Sequence, residues 1–322
     1  MSDLRRQIRV EQSFSAVERL RNEFSAWLGR RAQADAKGQY QTQLAALETL
    51  VCQALADIET DAGRLLEQAL ALGEHYAACR LLENRALWVR RVLWGYFGDK
   101  FDQRDGLAEV RQTLETADDV VWSCYEEARR QAAALDSRFA ARRPIPLAYI
   151  EPYFSPTARP RDQPPAALLE RRVGQEFLLQ YLPQLPIPLV SLPPQCLAEP
   201  WWLIYLAHEA GHHIQHDLEL VLPFSQQLMA LAAGGPSPAD AGLWASWGQE
   251  IFADLFAVHM VGAAAVWALA ELELQPNGGM ALRKESYPSP AARLSLSARA
   301  ADALGLAGTA GLAGFDPAAL LA

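Results

Sequence analysis

The chain has 322 residues, 51% of them apolar and 21% charged, with a formal net charge of −9 and a pI near 5.3. That length and apolar fraction allow two domains with sizeable cores. The acidic balance argues against a nucleic-acid partner, which would call for a basic surface.

The charge is unevenly spread. Residues 1–143 carry 21 Lys/Arg against 22 Asp/Glu, whereas residues 144–322 carry 8 against 16. The shift suggests two domains, 1–143 and 144–322, with different tasks. The four cysteines (Cys52, Cys79, Cys124 and Cys196) form no CxxC pair, so a cysteine zinc knuckle is not expected. The first three fall in helical patterns and read as buried free thiols, which suits a reducing, cytoplasmic location. The opening "MSDLRRQIRVEQSF" is charged and has no apolar run, unlike a secretory signal.

In chain order, the N-terminal domain reads as helical throughout. Val10, Phe14, Val17, Phe24 and Leu28 keep helical spacing; so do Leu44, Leu47, Val51, Leu55 and Ile58; and so do Leu107, Val110, Leu114, Val121, Cys124 and Tyr125. Breaks are expected near Gly29–Gly38, at Gly73 and at "GYFGDKFDQRDG". Four long helices with short connections predict an antiparallel bundle, a scaffold or regulatory domain that could bind a protein partner.

Residues 144–200 are dense in proline, which forbids long helices and central strands. "LAYI" and "PLVSL" remain as short strands, expected at sheet edges. Pro200 suits the first turn of a helix from Trp201 to about Asp217. Ser237 can cap a following helix, or pair of helices, reaching about Glu271, and "QPNGG" stops it. The apolar stretch Ile251–Ala270 is long enough for a membrane span, but Asp254 and His259 lie inside it, so a buried helix is expected and no membrane partner. The fold class is therefore mainly α, with a small sheet in the second domain.

"LIYLAHEAGHHIQHDLEL" (Leu203–Leu220) holds four of the six histidines. His208, Glu209 and His212 form H-E-x-x-H. On a helix, residues four apart share a face, so the two imidazoles can hold one zinc ion while Glu209 reaches a water bound to it as general base. Catalytic zinc usually takes a third protein ligand. "WGQEIFADLFA" offers Glu250 for that place. One turn on, Asp254 can accept the spare ring N–H of a ligand histidine and so fix its tautomer. His213 and His216 are expected to be bystanders, and Trp201, Trp202, Tyr205, Trp244 and Trp247 to pack between the two site helices.

"HEAGH", then "EIFADLFA", then "SYPSPAARL" resembles the HExGH, ExxAD and S-H-P-x-x-x-x-R order of the heat-shock and CAAX-processing zinc peptidases, a branch of the gluzincins, the clan of thermolysin. The resemblance covers roughly residues 200–295. It implies a zincin-like α+β metallopeptidase domain with His208, His212 and Glu250 as metal ligands, Glu209 as base, Asp254 behind a ligand and Arg293 as the arginine of the third motif. Two departures stand out. Those relatives are membrane proteins, and Tyr287 replaces the histidine of the third motif, where its hydroxyl can donate to a developing oxyanion.

The resulting expectation is a soluble zinc endopeptidase acting on a specific protein or peptide substrate, as in a regulated bacterial stress or defence protease. Edge strands would hold the substrate extended. The alternative is a non-catalytic binding or regulatory protein, stabilised by zinc and acting through its helical domain.

Overall fold

A computed structural model describes residues 2–35, 37–236, 238–274, 279–282 and 287–306. Ser237, most of "QPNGG", Ser286 and the tail from residue 307 lie outside the described residues. The chain is mainly helical and divides into two compact units: residues 1–102, 142–144 and 161–187 form the first, and residues 103–141, 145–160 and 188–322 the second. The division does not coincide with the boundary expected after Arg143.

The first unit holds α1 (Ser2–Ala34), α2 (Gln41–Glu67), α3 (Leu72–Trp88), a π-helical stretch (Val89–Trp94) and α4 (Gly95–Asp102). Its core follows the apolar stripes: Val10, Val17 and Phe24 of α1, Leu47, Val51, Leu55 and Ile58 of α2, and Cys79 and Leu82 of α3 are all buried. After α1, the Asp35 carboxylate accepts the backbone N–H groups of Gln39 and Tyr40, each at 2.7 Å, and closes the turn into α2. The stretch expected to break at "GYFGDKFDQRDG" is helical as far as Asp102. Phe97 and Phe101, one turn apart, are buried there, and Phe101 meets Trp27 edge-on at 5.9 Å. That burial outweighs the poor helix propensity of Gly95 and Gly98. Residues 161–187 complete the unit as short turns. Tyr181 donates to Asp57 at 2.5 Å, and Trp88 Nε1 donates to the Val173 carbonyl at 3.0 Å.

The fourth long helix, α5 (Ala108–Leu135), belongs to the second unit and not to an N-terminal bundle. Its stripe Leu114, Ala117 and Val121 packs with Ala148, Val190, Trp202 and Leu206. Periodicity marked its apolar face correctly but could not say which core the face enters.

The sheet of this unit has three strands in the order β1 (Leu147–Ile150), β3 (Leu189–Leu192), β2 (Thr157–Arg159). β1 runs parallel to β3, and β2 antiparallel. "LVSL" is thus the central strand, against the expectation of an edge, and all four of its residues are buried. Its flanking prolines, Pro188 and Pro193, stand just outside the ladder and remove no bond from it. β1 is an edge, but a closed one. Asp118 accepts the Ala148 N–H at 3.0 Å, Arg104 donates to the Ala148 carbonyl at 2.8 Å, and Gln103 bonds both the N–H and the carbonyl of Ile150.

The remaining helices are α6 (Trp201–Asp217), α7 (Val221–Ala233), α8 (Ala241–Ser246), α9 (Gly248–Val261), α10 (Ala263–Glu273) and α11 (Pro290–Ala303). Gly262, with φ +66, separates α9 from α10, so Ile251–Ala270 is two helices. Among the described residues, no helix is long and apolar enough to cross a membrane. Ala207, Ala210, Ala257, Val258, Val266, Leu269 and Leu294 share one core, which seats α6 against α9, α10 and α11.

Candidate metal centre

The site lies where α6 meets α9. Gly211, in the middle of "HEAGH", sets how closely they approach: a Cβ there would stand 2.9 Å from the Ala253 Cα and 3.2 Å from Phe256. Any larger residue would wedge the helices apart. This contact brings the pair His208/His212 on α6 opposite the pair Glu250/Asp254 on α9.

The three expected ligands converge. His208 Nε2 and His212 Nε2 are 3.2 Å apart, and they lie 3.5 and 3.7 Å from the two Glu250 carboxylate oxygens. One ligand atom from each of the three residues falls within 4.8 Å of the others, so the cluster can hold a metal ion; among the described residues it is the one such group. Behind it, His208 Nδ1 stands 2.8 Å from Asp254 Oδ1. That contact directs Nε2 toward the cluster, as a ligand needs.

Arg293 on α11 completes the back of the site. Its Nε and Nη2 donate to the two Asp254 oxygens, both at 2.8 Å, and Nη1 donates to Glu273 at 2.5 Å. Nη2 also lies 3.4 Å from Glu250. A guanidinium that is 2% exposed needs such company, because an unpaired buried charge is costly.

The electrostatics follow from this packing. Burial opposes charge on His208, but its bonds to Asp254 and Glu250 outweigh it and raise the imidazole to about 9. Burial, reinforced by the neighbouring His208 charge, pushes His212 down to about 3, which leaves it neutral. Burial favours a protonated Asp254, yet Arg293 holds it well below the ordinary carboxylate range. Glu250 is lowered too, since His208, His212 and Arg293 together outweigh its burial. Three carboxylates thus face one permanent cation, Arg293. A neutral His212, an anionic Glu250 and a His208 oriented by Asp254 suit a divalent cation.

Glu209 is 4% exposed, and burial pushes it up to about 7, with the nearby His208 charge opposing. Its carboxylate accepts the backbone N–H of Ala158 in β2. A carboxylate poised near neutrality can exchange a proton at working pH. Tyr287 is half-exposed. Its phenol is raised first by the negative charge of Glu250 and then by burial and Glu209, which places it within their field.

The expected bystanders stay outside the cluster. Buried His213 Nε2 lies 3.2 Å from the Leu189 carbonyl of β3 and ties α6 to the sheet. His216 Nε2 is 3.5 Å from Gln249 Oε1, at the limit of a hydrogen bond. The aromatic set does not form one layer between the site helices. Trp201 and Trp202 stack on each other at 3.9 Å, with Trp202 in the core shared by α5 and the sheet, while Trp244 and Trp247 pair edge-on at 5.5 Å.

Three participants escaped the sequence reading. The Tyr205 ring stacks on His208 at 4.7 Å. Glu273 is the second partner of Arg293, and Ala158 supplies a backbone donor to Glu209. Tyr205 lies one turn before His208, but an aromatic residue at that spacing points only to general packing. Neither Glu273 nor Ala158 has any spacing that links it to "HEAGH". No protein-family model, no curated protein and no solved structure matches the chain.

Proposed function

We propose that this protein is a zinc-dependent endopeptidase whose second unit is a zincin-like catalytic domain. The observation that carries the reading is the convergence of His208, His212 and Glu250 on one point, with the buried Glu209 beside it. A zinc ion in such a site supplies Lewis acidity and an acidified water. With the metal bound, Glu209 would take the proton from the attacking water and later give it to the leaving amine, and its burial raises its proton affinity for the first of these steps. Asp254, itself held by Arg293, keeps His208 in its ligand tautomer. Tyr287, whose phenol lies in the field of Glu250 and Glu209, is the proposed donor to the oxyanion that forms as water attacks the carbonyl.

Because β1 is closed by Gln103, Arg104 and Asp118, an extended peptide can add only on the β2 side of the sheet, next to Glu209. The helical first unit is then the place for a regulatory protein partner. This favours a specific protein substrate over general digestion.

The alternative, a structural zinc in a non-catalytic binding protein, calls for four protein ligands and has no use for a buried base. Among the described residues the cluster offers three donors. The deciding experiment compares new N-termini generated in a proteome-derived protein mixture by zinc-loaded wild type and by Glu209→Gln. Cleavage by wild type, reduced at least about 100-fold in the variant, is expected. Equal cleavage, or none by either, defeats the reading.

A further inference from the structure

Helices α7 and α8 are unlike the rest of the molecule. Neither contains a charged residue, and neither buries one: "VLPFSQQLMALAA" and "AGLWAS" are apolar helices on the surface, with Leu222 65% and Leu231 66% exposed. A surface helix ordinarily turns a charged face to water. Between them lies a cavity of about 400 Å³, lined by Leu231, Ala232, Trp244, Trp247 and, from the start of α11, Ala292, with Asp240 the one charged residue on its wall. Its size is ordinary for a ligand pocket, and its walls are mainly apolar and aromatic. Ser289 also lines it, but the Ser289 Oγ is engaged in accepting the Ala292 N–H at 3.3 Å.

The same elements carry the cavity walls and the metal centre. Trp247 precedes the ligand Glu250 by three residues and stands just before the same helix. Ala292 adjoins Arg293, which grips Asp254, and Ser289 follows Tyr287 by two. A peptide laid across the centre would therefore run along the two helices whose N-terminal ends line this cavity.

We propose that this cavity is the specificity pocket, taking a large apolar side chain (Leu, Ile, Met, Phe or Trp) of an extended peptide bound across the metal centre; the inference rests on the peptidase reading above. The uncharged faces of α7 and α8 then seat the uncharged flank of the same peptide, and acidic residues are excluded from that position by desolvation and by the Asp240 carboxylate.

The test uses full-length, zinc-loaded Glu209→Gln, immobilised, with a proteome-derived peptide mixture as probe. Retained peptides should be enriched at least about fivefold in large apolar residues at one position. Ala232→Trp, which fills the cavity, and Leu231→Asp, which places a charge on its wall, should each abolish that enrichment with zinc stoichiometry and far-UV circular dichroism unchanged. No retention, no enrichment, or enrichment that survives both substitutions overturns the proposal. Retention needs no hydrolysis, so failure of wild type to cleave the retained peptides would count against the peptidase reading alone.

Discussion

Asp254 Oδ1 lies 2.8 Å from His208 Nδ1, and both groups are almost fully buried. A neutral imidazole with its proton on Nδ1 presents its lone pair on Nε2, the atom that faces His212 and Glu250. Once a metal takes Nε2, the remaining ring proton is on Nδ1, and the nearest anion to it is Asp254. Asp254→Asn keeps the shape but can offer an amide N–H to Nδ1, which favours the opposite tautomer. Zinc affinity should fall about 10- to 100-fold. Competition with a chromophoric chelator reads this directly, and an unchanged affinity would remove Asp254 from the site's design.

Gly211 tests the helix contact that brings the ligands together. Gly211→Ala puts a methyl 2.9 Å from the Ala253 Cα, a backbone atom that cannot step aside. Despite the better helix propensity of alanine, stability should drop by about 1–3 kcal/mol, and zinc affinity should drop with it. Gly63→Ala in α2 is the control, because a Cβ there meets nothing within 4 Å. It should gain about 0.5–1 kcal/mol in chemical denaturation and leave zinc binding unchanged.

The site was legible because its parts obey local rules. His208 with His212, and Glu250 with Asp254, are pairs one helical turn apart, and spacing alone puts each pair on one face. Bringing the two faces together needed Gly211, whose small size in "HEAGH" is visible in sequence but whose neighbour Ala253 is not. Arg293 came from resemblance to a known motif; its second carboxylate, Glu273, lies 20 residues away in sequence and carries no periodic sign. The fold was legible in its helices but less so in its partition. α5 shows an apolar stripe that fits any core, and only the tertiary packing of Leu114 and Val121 against Val190 assigns it to the sheet. Proline density over the region points to an edge for "LVSL", whereas only the four residues between Pro188 and Pro193 enter the ladder.

Arg293 neutralises a cluster that would otherwise repel itself. Arg293→Leu leaves Asp254, Glu250 and Glu273 in a buried site without their cation. In metal-free protein the loss should be about 3–5 kcal/mol, read by urea unfolding. Glu273→Gln should cost much less, since Arg293 keeps its two-pronged bond to Asp254. If the two variants are equally stable, the paired contact to Asp254 is not what secures the arginine.

Glu209 makes a pH prediction whose sign follows from its burial. Its carboxyl rises from an ordinary 4.5 to about 7 in the folded chain, so the folded state holds the proton more tightly than the unfolded state. Between about pH 4.5 and 7 the unfolded state releases that proton first, and folding stability falls as pH rises. Below this window Glu209 carries its proton in both states and costs nothing; above it the penalty is constant. Glu209→Gln removes the ionisation but keeps a carbonyl oxygen for the Ala158 N–H. In metal-free protein the stability of the variant relative to wild type should therefore climb through the window, by up to about 3 kcal/mol, and level off above pH 8. Urea unfolding of both proteins from pH 4 to 9 measures it, and the subtraction cancels ionisations common to the two. A difference that stays flat across the window would mean that Glu209 titrates as an ordinary surface carboxylate, and it would then lack the proton affinity that the general-base role requires.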